Sequence, residues 1–164
     1  MSSINSDRVR DFLKGLYSSS LDSTIVTAGN GGSHANASHL TADLIRRNVP
    51  SICLTDNQAA LSAFSNDFNY DTALSRILSN QFRFHPAVVV ILFSVSGEST
   101  NLINLANEAK KLRCPVFSVL GNSRCTLNFV SNDSIYVESN NYGLVETIHS
   151  LFAHLIADTF KPLW

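Results

Sequence analysis

Two side chains that can exchange a proton or hold a metal ion stand one helical turn apart in this chain. His39 and Asp43 are four positions apart, so in a helix both lie on one face. A histidine and a carboxylate at this spacing can ligate one metal ion or form a proton-transfer pair. The same spacing is common in surface ion pairs that do no chemistry, so the pair needs support from other motifs.

A later helical segment carries a carboxylate and two more imidazoles. Glu146 and His154 are eight positions apart and share a helix face only loosely. His149 is closer in angle to Glu146, and we interpret it as a structural or interfacial histidine. Spacing alone does not show whether this segment acts together with His39 and Asp43.

A glycine-rich loop, Gly29-Asn30-Gly31-Gly32-Ser33, follows one predicted strand and opens a predicted helix. Glycines let the backbone approach a ligand closely, and a helix N-terminus offers free N–H groups to an anion. The alternative is a tight strand-to-helix turn with Ser33 as the N-cap residue. The loop is neither a Walker loop nor a dinucleotide-binding fingerprint.

A serine-rich loop, Ser94-Val95-Ser96-Gly97-Glu98-Ser99-Thr100-Asn101, has the same position after the strongest predicted strand. Hydroxyls and backbone N–H groups can hold a phosphate without Lys or Arg where a helix dipole adds positive potential. Capping and loop solubility would also account for such a sequence. Because two such loops follow buried strands in one chain, phosphate binding is the favoured interpretation.

The elements that must position these loops alternate between helices and strands. Strands are predicted at 23–28, 51–54, 87–93, 115–120 and 133–137, and helices at 7–17, 33–47, 59–65, 71–80, 99–112 and 142–160. This order predicts an α/β fold, a three-layer doubly wound sandwich around a mostly parallel five-stranded sheet. Ligands of such folds bind beyond the carboxyl ends of the strands, where both loops lie.

Length and composition narrow the function classes. The 164 residues suit a single domain over 1–164, and a net charge of −1 gives no basic footprint for nucleic acid. No apolar run is long enough to span a membrane, and the polar N-terminal segment does not resemble a secretory signal. The three cysteines have no CxxC spacing, which argues against disulfides and a cysteine zinc site. We therefore expect a reduced, cytoplasmic protein that binds neither nucleic acid nor membranes.

Several motifs in consecutive order resemble the sugar isomerase (SIS) domain family, and within it the phosphoheptose isomerases. The resemblance extends from about Val9 to Ile156 and so spans nearly the whole chain. The residues that carry it are Gly29-Asn30-Gly31-Gly32-Ser33-His34, His39, Asp43, Asn66-Asp67-Phe68, Ser94-Val95-Ser96-Gly97-Glu98-Ser99, Glu146, His149 and His154.

This resemblance implies a flavodoxin-like SIS domain and an aldose–ketose isomerase. The implied reaction converts sedoheptulose 7-phosphate to D-glycero-D-manno-heptose 7-phosphate through an enediol. It needs a base that moves a proton between adjacent carbons and an acid that serves the oxygens. The resemblance assigns the base to Asp43 and the acid to His154. The implied substrate-binding residues are Asn30, Gly31, Gly32, Asn66 and Asp67 at the sugar, Ser94, Ser96 and Ser99 at the phosphate, and in addition Ser33 and Glu146.

The resemblance also implies a metal cofactor and an assembly. Some family members bind zinc, one ion per subunit, at four positions that correspond to His39, Asp43, Glu146 and His154. Members form homotetramers whose active sites lie between subunits, so a phosphosugar and further copies of the chain are the expected partners.

Two departures from the family pattern leave an alternative open. Asp43 stands where the family usually has Glu, and a misplacement of about 1 Å can cost about 100-fold in rate. Glu146 stands where Gln is usual, and a second carboxylate near Asp43 would raise the proton affinity of one of them or attract a cation. The alternative is a non-catalytic SIS module that binds a phosphosugar or a protein, as in the branch that associates with the replication initiator. A nucleotide-binding protein is a third hypothesis, which no motif supports.

Overall fold

A computed structural model of the protein describes residues 6–83 and 87–160. Its strands are β1 (Thr24–Gly29), β2 (Ser51–Cys53), β3 (Val88–Ser94), β4 (Val116–Leu120) and β5 (Asp133–Tyr136). They form one sheet in the order β2-β1-β3-β4-β5, and each neighbouring pair is parallel. The predicted α/β fold with a five-stranded sheet is confirmed. The two ends of the predicted domain, 1–5 and 161–164, lie outside the described residues.

Seven α-helices cover this sheet within the described ranges. The helices predicted at 71–80 and 142–160 are observed at Tyr70–Phe82 and Tyr142–Asp158, and the first helix continues three residues beyond its predicted end. The sequence did not predict a short α-helix, Thr126–Val130, or a 3₁₀ helix, Leu54–Asp56, because segments of three to five residues carry too little periodicity. The α-helices are α1 (Ser6–Ser20), α2 (Gly32–Arg46), α3 (Gln58–Asp67), α4 (Tyr70–Phe82), α5 (Thr100–Lys111), α6 (Thr126–Val130) and α7 (Tyr142–Asp158).

Strand β3 forms the centre of the molecule, and all seven of its residues are buried. Alternate side chains of a strand point to opposite faces, so β3 contributes to two separate apolar cores. Val89, Ile91 and Phe93 join the core beneath α1, α2 and α7. Val88, Val90 and Leu92 join the core beneath α4 and α5. A strand covered on both faces requires the continuous apolar sequence from which it was predicted.

The strand register brings the two motif loops to one edge of the sheet. Gly29 at the end of β1 is the partner of Phe93 in β3, so these strands end nearly level. A helix follows each of these strands along the chain, α2 after β1 and α5 after β3. The sheet thus places the glycine-rich and serine-rich loops side by side. Within the described ranges, no helix is long and apolar enough to cross a membrane.

Candidate functional site

A cleft lies where the two loops meet, beyond the carboxyl ends of β1 and β3. It encloses about 100 Å³, and we call it the helix-end cleft. Its walls come from the N-terminal ends of α2, α5 and α7 and from the end of β3. Helix N-termini carry partial positive charge, so three of them around one cleft favour an anionic ligand. The lining residues are Asn30, Ser33, Phe93, Ser94, Val95, Ser96, Ser99, Leu102, Tyr142 and Glu146.

The glycine-rich loop forms one wall of the helix-end cleft by a close backbone approach. Gly31 is the N-cap residue of α2 with φ of 56°, a conformation that favours glycine. A Cβ atom on Gly32 would lie 2.3 Å from Oε2 of Glu146, so the carboxylate of α7 rests against this glycine. The N-cap role that we considered for Ser33 is therefore wrong. Ser33 lies inside the first turn of α2, buried, and lines the cleft.

The serine-rich loop supplies the predicted hydroxyls to the same cleft. The Ser94 hydroxyl accepts a hydrogen bond from the Gly97 N–H at 3.0 Å. The Ser96 hydroxyl accepts one from the Glu98 N–H at 3.2 Å. Ser99 is the N-cap residue of α5, yet its side chain makes no capping hydrogen bond. Helix capping is therefore not the role of the Ser99 hydroxyl.

An amide network that the sequence did not predict joins the two loops. Asn30 and Asn101 exchange two side-chain hydrogen bonds, each 2.9 Å long. The Tyr70 hydroxyl, at the start of α4, donates to Oδ1 of Asn30 at 2.8 Å. The side chain of Asn101 is polar but buried, and this burial is the feature of the structure that points to a role for the residue. The network fixes Asn30 at the mouth of the cleft.

A second group of side chains, the imidazole–carboxylate cluster, consists of His39, Asp43 and His154. Oδ2 of Asp43 lies 3.6 Å from Nε2 of His39 and 3.3 Å from Nδ1 of His154. The two imidazole rings meet edge to face, with centroids 4.9 Å apart. Asp43 is 11% exposed in its side chain, whereas the imidazoles are 47% and 54% exposed. The predicted acid and base thus meet at one point, from two different helices.

Two arginines at the end of α2 surround the other side of Asp43. Oδ1 of Asp43 lies 3.8 Å from Nη1 of Arg46 and 4.0 Å from Nη1 of Arg47. Arg47 also donates to the backbone oxygen of Asp43 at 3.1 Å and to the carboxylate of Asp158 on α7 at 2.5 Å. The Arg47–Asp158 pair ties α2 to α7 next to His154.

The four predicted metal ligands do not all meet in one chain. His39, Asp43 and His154 each offer a ligand atom, and these atoms lie within 4.8 Å of one another. Glu146 is not in this group, because its carboxylate rests against Gly32 in the helix-end cleft. Ser33 and Asp43 are ten positions apart on α2, about 15 Å along the helix axis. The cleft and the cluster are therefore separate regions of a single chain.

Asn66 and Asp67, the predicted second signature, lie away from the helix-end cleft. Both are exposed at the end of α3, and neither lines the cleft. Their one described polar contact is mutual, a hydrogen bond of 3.1 Å from Nδ2 of Asn66 to Oδ1 of Asp67. Tyr70, three positions beyond this pair, contacts the cleft wall through its hydrogen bond to Asn30.

His149 is completely buried beneath the cleft, which supports its interpretation as a structural residue. Its ring lies 6.1 Å from the ring of Phe93, and neither ring nitrogen has a hydrogen bond of normal geometry. Burial lowers the pKa of His149 to about 4, opposed in part by the Leu120 backbone. The ring is therefore neutral near pH 7, and it lies next to Phe93, which lines the cleft.

Comparison with known proteins agrees with this geometry. Residues 16–121 match the SIS domain family. The phosphoheptose isomerase of Aliarcobacter butzleri is 34% identical over 80% of this chain and 72% of its own length. The probable phosphoheptose isomerase of Thermoplasma volcanium is 32% identical over 85% of this chain and 74% of its own length.

The fold has a match among solved structures. The phosphoheptose isomerase of Neisseria gonorrhoeae superposes with a TM-score of 0.87 at 23% identity, covering 94% of this chain and 85% of that one. At this identity the likeness describes the fold. The sequence matches and the fold thus agree on one family.

Proposed function

This chain belongs to the SIS domain family of phosphoheptose isomerases, and we propose that it interconverts an aldose and a ketose phosphate. The substrate that fits best is sedoheptulose 7-phosphate, converted to D-glycero-D-manno-heptose 7-phosphate through an enediol. The observation that carries this proposal is the 3.3 Å approach of Asp43 on α2 to His154 on α7. A base and an acid at one point are what a proton shift between adjacent carbons and oxygens requires.

The phosphate binds in the helix-end cleft in this proposal. Ser94, Ser96 and Ser99 present hydroxyls there, and the N-termini of α2, α5 and α7 add positive potential. Among the residues that the structure describes, no lysine or arginine lines the cleft, so affinity rests on hydroxyls and backbone N–H groups. Asn30, Gly31, Gly32 and Glu146 face the sugar.

The reaction takes place at the imidazole–carboxylate cluster. Asp43 removes the proton from C1 of the ketose and returns it to C2. His154 gives a proton to the oxygen on C2 and takes one from the hydroxyl on C1. The sum is a redistribution of hydrogen within one molecule, so no external oxidant or reductant is needed.

A zinc ion fits the cluster as a cofactor. His39, Asp43 and His154 supply two nitrogens and one oxygen that lie close enough together for one ion. Three protein ligands leave a coordination position open, as in catalytic zinc sites. When bound, zinc supplies a Lewis acid for the oxygens of the sugar. Glu146, the fourth residue of the proposed set, would have to reach the ion from another position.

The distance between the cleft and the cluster supports a shared active site. Since about 15 Å of helix separates Ser33 from Asp43, we propose that the cleft of one subunit works with the cluster of a neighbour in a homotetramer. Exposed imidazoles at His39 and His154 suit a surface that another copy covers. We further propose that residues 1–164 form one domain and that the protein acts in the cytoplasm.

Turnover of sedoheptulose 7-phosphate by the purified protein, with and without zinc, tests the proposed reaction. The Asp43→Asn variant should lose about 100- to 10,000-fold in kcat, because general base catalysis is worth that much. The matched control is Asp11→Asn, the same change on the exposed face of α1, which should leave turnover unchanged. Wild-type protein that forms no aldose under either condition contradicts the proposal. If the sugar phosphate still raises its melting temperature, the non-catalytic SIS module is the better description.

Subunit mixing tests the shared site. Asp43→Asn disables the cluster, and Ser99→Asp places a negative charge in the cleft that repels phosphate. Each variant alone should be inactive. After the two are mixed and allowed to exchange subunits, activity should return if a site takes its cleft and its cluster from different chains. A mixture that exchanges subunits but stays inactive shows that each site lies within one chain.

A further inference from the structure

A second group of metal-ligating side chains lies on the other side of the glycine-rich loop. His34 in the first turn of α2, Cys53 at the end of β2 and Asp56 in the 3₁₀ helix each offer one ligand atom within 4.8 Å of the others. None of these three residues lines the helix-end cleft or belongs to the imidazole–carboxylate cluster. They come from two segments of the chain. The nearest two of these residues in sequence, His34 and Cys53, are 19 positions apart.

Local backbone geometry creates this convergence. A 3₁₀ helix has three residues per turn, so Cys53, its N-cap residue, and Asp56 lie one above the other. The first turn of α2 brings His34 alongside, with Nε2 3.6 Å from Oδ1 of Asp56. In a tetrahedral zinc site with bonds of about 2.0–2.3 Å, ligand atoms are roughly 3.3–3.8 Å apart. The His34–Asp56 separation already has that value.

Hydrogen bonds orient the three side chains of this group. Nδ1 of His34 lies 2.7 Å from the Thr55 hydroxyl, and when it donates there, Nε2 keeps its lone pair for a metal. The same hydroxyl lies 3.2 Å from Sγ of Cys53, to which it can donate in turn. Ser38 donates to Oδ2 of Asp56 at 2.9 Å and leaves Oδ1 facing His34. Such supporting bonds orient ligands in established metal sites.

We propose that His34, Cys53 and Asp56 form a divalent-metal site of the zinc class, distinct from the imidazole–carboxylate cluster. Burial raises the pKa of the Cys53 thiol, and the Thr55 hydrogen bond opposes that rise. The charge of a bound metal ion completes the deprotonation. The side chains of His34 and Asp56 are 33% and 45% exposed, so an ion has access and a water can occupy its fourth position.

Such an ion would join β2 to the start of α2, directly after the glycine-rich loop. The ion would therefore stabilise the glycine-rich loop that forms a wall of the helix-end cleft, and it would take no part in the proton transfer. The lack of CxxC spacing argued against a cysteine zinc site. That argument applies to sites with several cysteines, whereas this one combines a single thiolate with an imidazole and a carboxylate. The inference does not depend on the proposed isomerase reaction.

Cobalt(II) is the probe that tests this site, added alone to the full chain after treatment with a chelator. A cobalt–thiolate bond gives a charge-transfer absorption in the near ultraviolet, which ligation by nitrogen and oxygen alone does not. We expect this absorption to appear in the wild-type protein, to saturate as cobalt is added, and to vanish in Cys53→Ser. Absence of the absorption in the wild-type protein, or its persistence in Cys53→Ser, overturns the proposal.

Further variants distinguish Cys53 from another thiol and this site from the imidazole–carboxylate cluster. Cys125→Ser removes an equally buried thiol and should keep the absorption, as should Asp43→Asn, which disables the cluster. Asp56 is exposed, so we expect Asp56→Asn to fold, and this variant can test the site even if Cys53→Ser unfolds. Thr55→Val should weaken cobalt binding by about 10- to 100-fold, as loss of a supporting hydrogen bond does in other metal sites. Loss of the absorption in folded Cys125→Ser or Asp43→Asn, or unchanged cobalt affinity in Asp56→Asn, overturns the assignment.

Discussion

The helix-end cleft and the imidazole–carboxylate cluster use the same two helices in opposite ways. The cleft takes the first turns of α2 and α7, encloses its volume, and has Glu146 as its one titratable acid. The cluster takes later turns of the same helices, lies at the surface, and consists entirely of titratable groups. One region is thus an enclosed cleft, and the other is a set of titratable groups in which two half-exposed imidazoles flank a mostly buried carboxylate.

If the proposed roles are correct, the chain divides binding from chemistry along its helix axes. Helix N-termini attract an anion by their dipoles, an effect that falls off within the first turn. Proton transfer needs side chains that can change charge, and Asp43 and His154 lie beyond the first turns of α2 and α7. In the proposed homotetramer, a substrate would therefore contact the cleft of one subunit and the cluster of a neighbour.

The cluster is where a substitution should reduce activity most. His154→Gln removes the acid but keeps a polar side chain, so kcat should fall by about 100- to 10,000-fold with little change in KM. Steady-state kinetics with the sugar phosphate measure both constants. The separation of binding from chemistry fails if the loss appears in KM while kcat is retained.

Acid stability should report the core beneath the cleft. The unfolded chain protonates His149 near pH 6.5, but the folded chain does so only near pH 4. Protons therefore bind preferentially to the unfolded state between these values, and the free energy of unfolding decreases as pH falls from 6.5 to 4. Through this residue the loss reaches about 3 kcal/mol. His149→Leu should flatten this part of the profile in denaturant unfolding, and an unchanged slope would show that His149 contributes nothing.

Binding at the cleft should be sensitive to single hydroxyls. Ser99→Ala removes one hydrogen bond to a charged group, worth about 1.5–3 kcal/mol, so KM should rise roughly 10- to 100-fold at constant kcat. Thr100→Ala is the matched control, since Thr100 is exposed and does not line the cleft. Equal effects of both changes would remove the distinction between lining and neighbouring hydroxyls.

The network at the mouth of the cleft should give the weakest response. Tyr70→Phe deletes the 2.8 Å hydrogen bond to Asn30 and leaves the Asn30–Asn101 pair intact. A bond of this kind is worth about 0.5–1.5 kcal/mol, so KM should rise roughly 2- to 12-fold while kcat stays constant. A decrease in kcat instead would assign the tyrosine to the chemistry of the cluster.

The elements of this fold were largely predictable because its strands are buried on both faces. β3 has seven consecutive apolar or small residues, and the predicted strand at 87–93 differs from the observed one by one residue at each end. The cleft followed from the two loops, since parallel strands that end level must bring their loops together. The strand order was not predictable, because apolar sequences do not specify which strands pair.

The rest of the candidate site depended on contacts between distant segments. Nothing in the sequence marks Tyr70 as a partner of Asn30, 40 positions away, and the position of Glu146 depends on how α7 packs against Gly32. The predicted roles of Asn66 and Asp67 came from a resemblance, and in this chain both side chains point to solvent at the end of α3. Their roles in binding stay predictions, as does the metal set that includes Glu146.

Helix α7 comes after every other described element in chain order, and this has a consequence for synthesis. The ribosome releases β1, α2 and β3 before it makes α7, and segments nearer the N-terminus can begin to fold first. Until α7 is added, Asp43 has no His154 beside it, and Gly32 has no Glu146 across the cleft. A nascent chain therefore lacks the pairing of Asp43 with His154 until α7 has been made and has packed against α2.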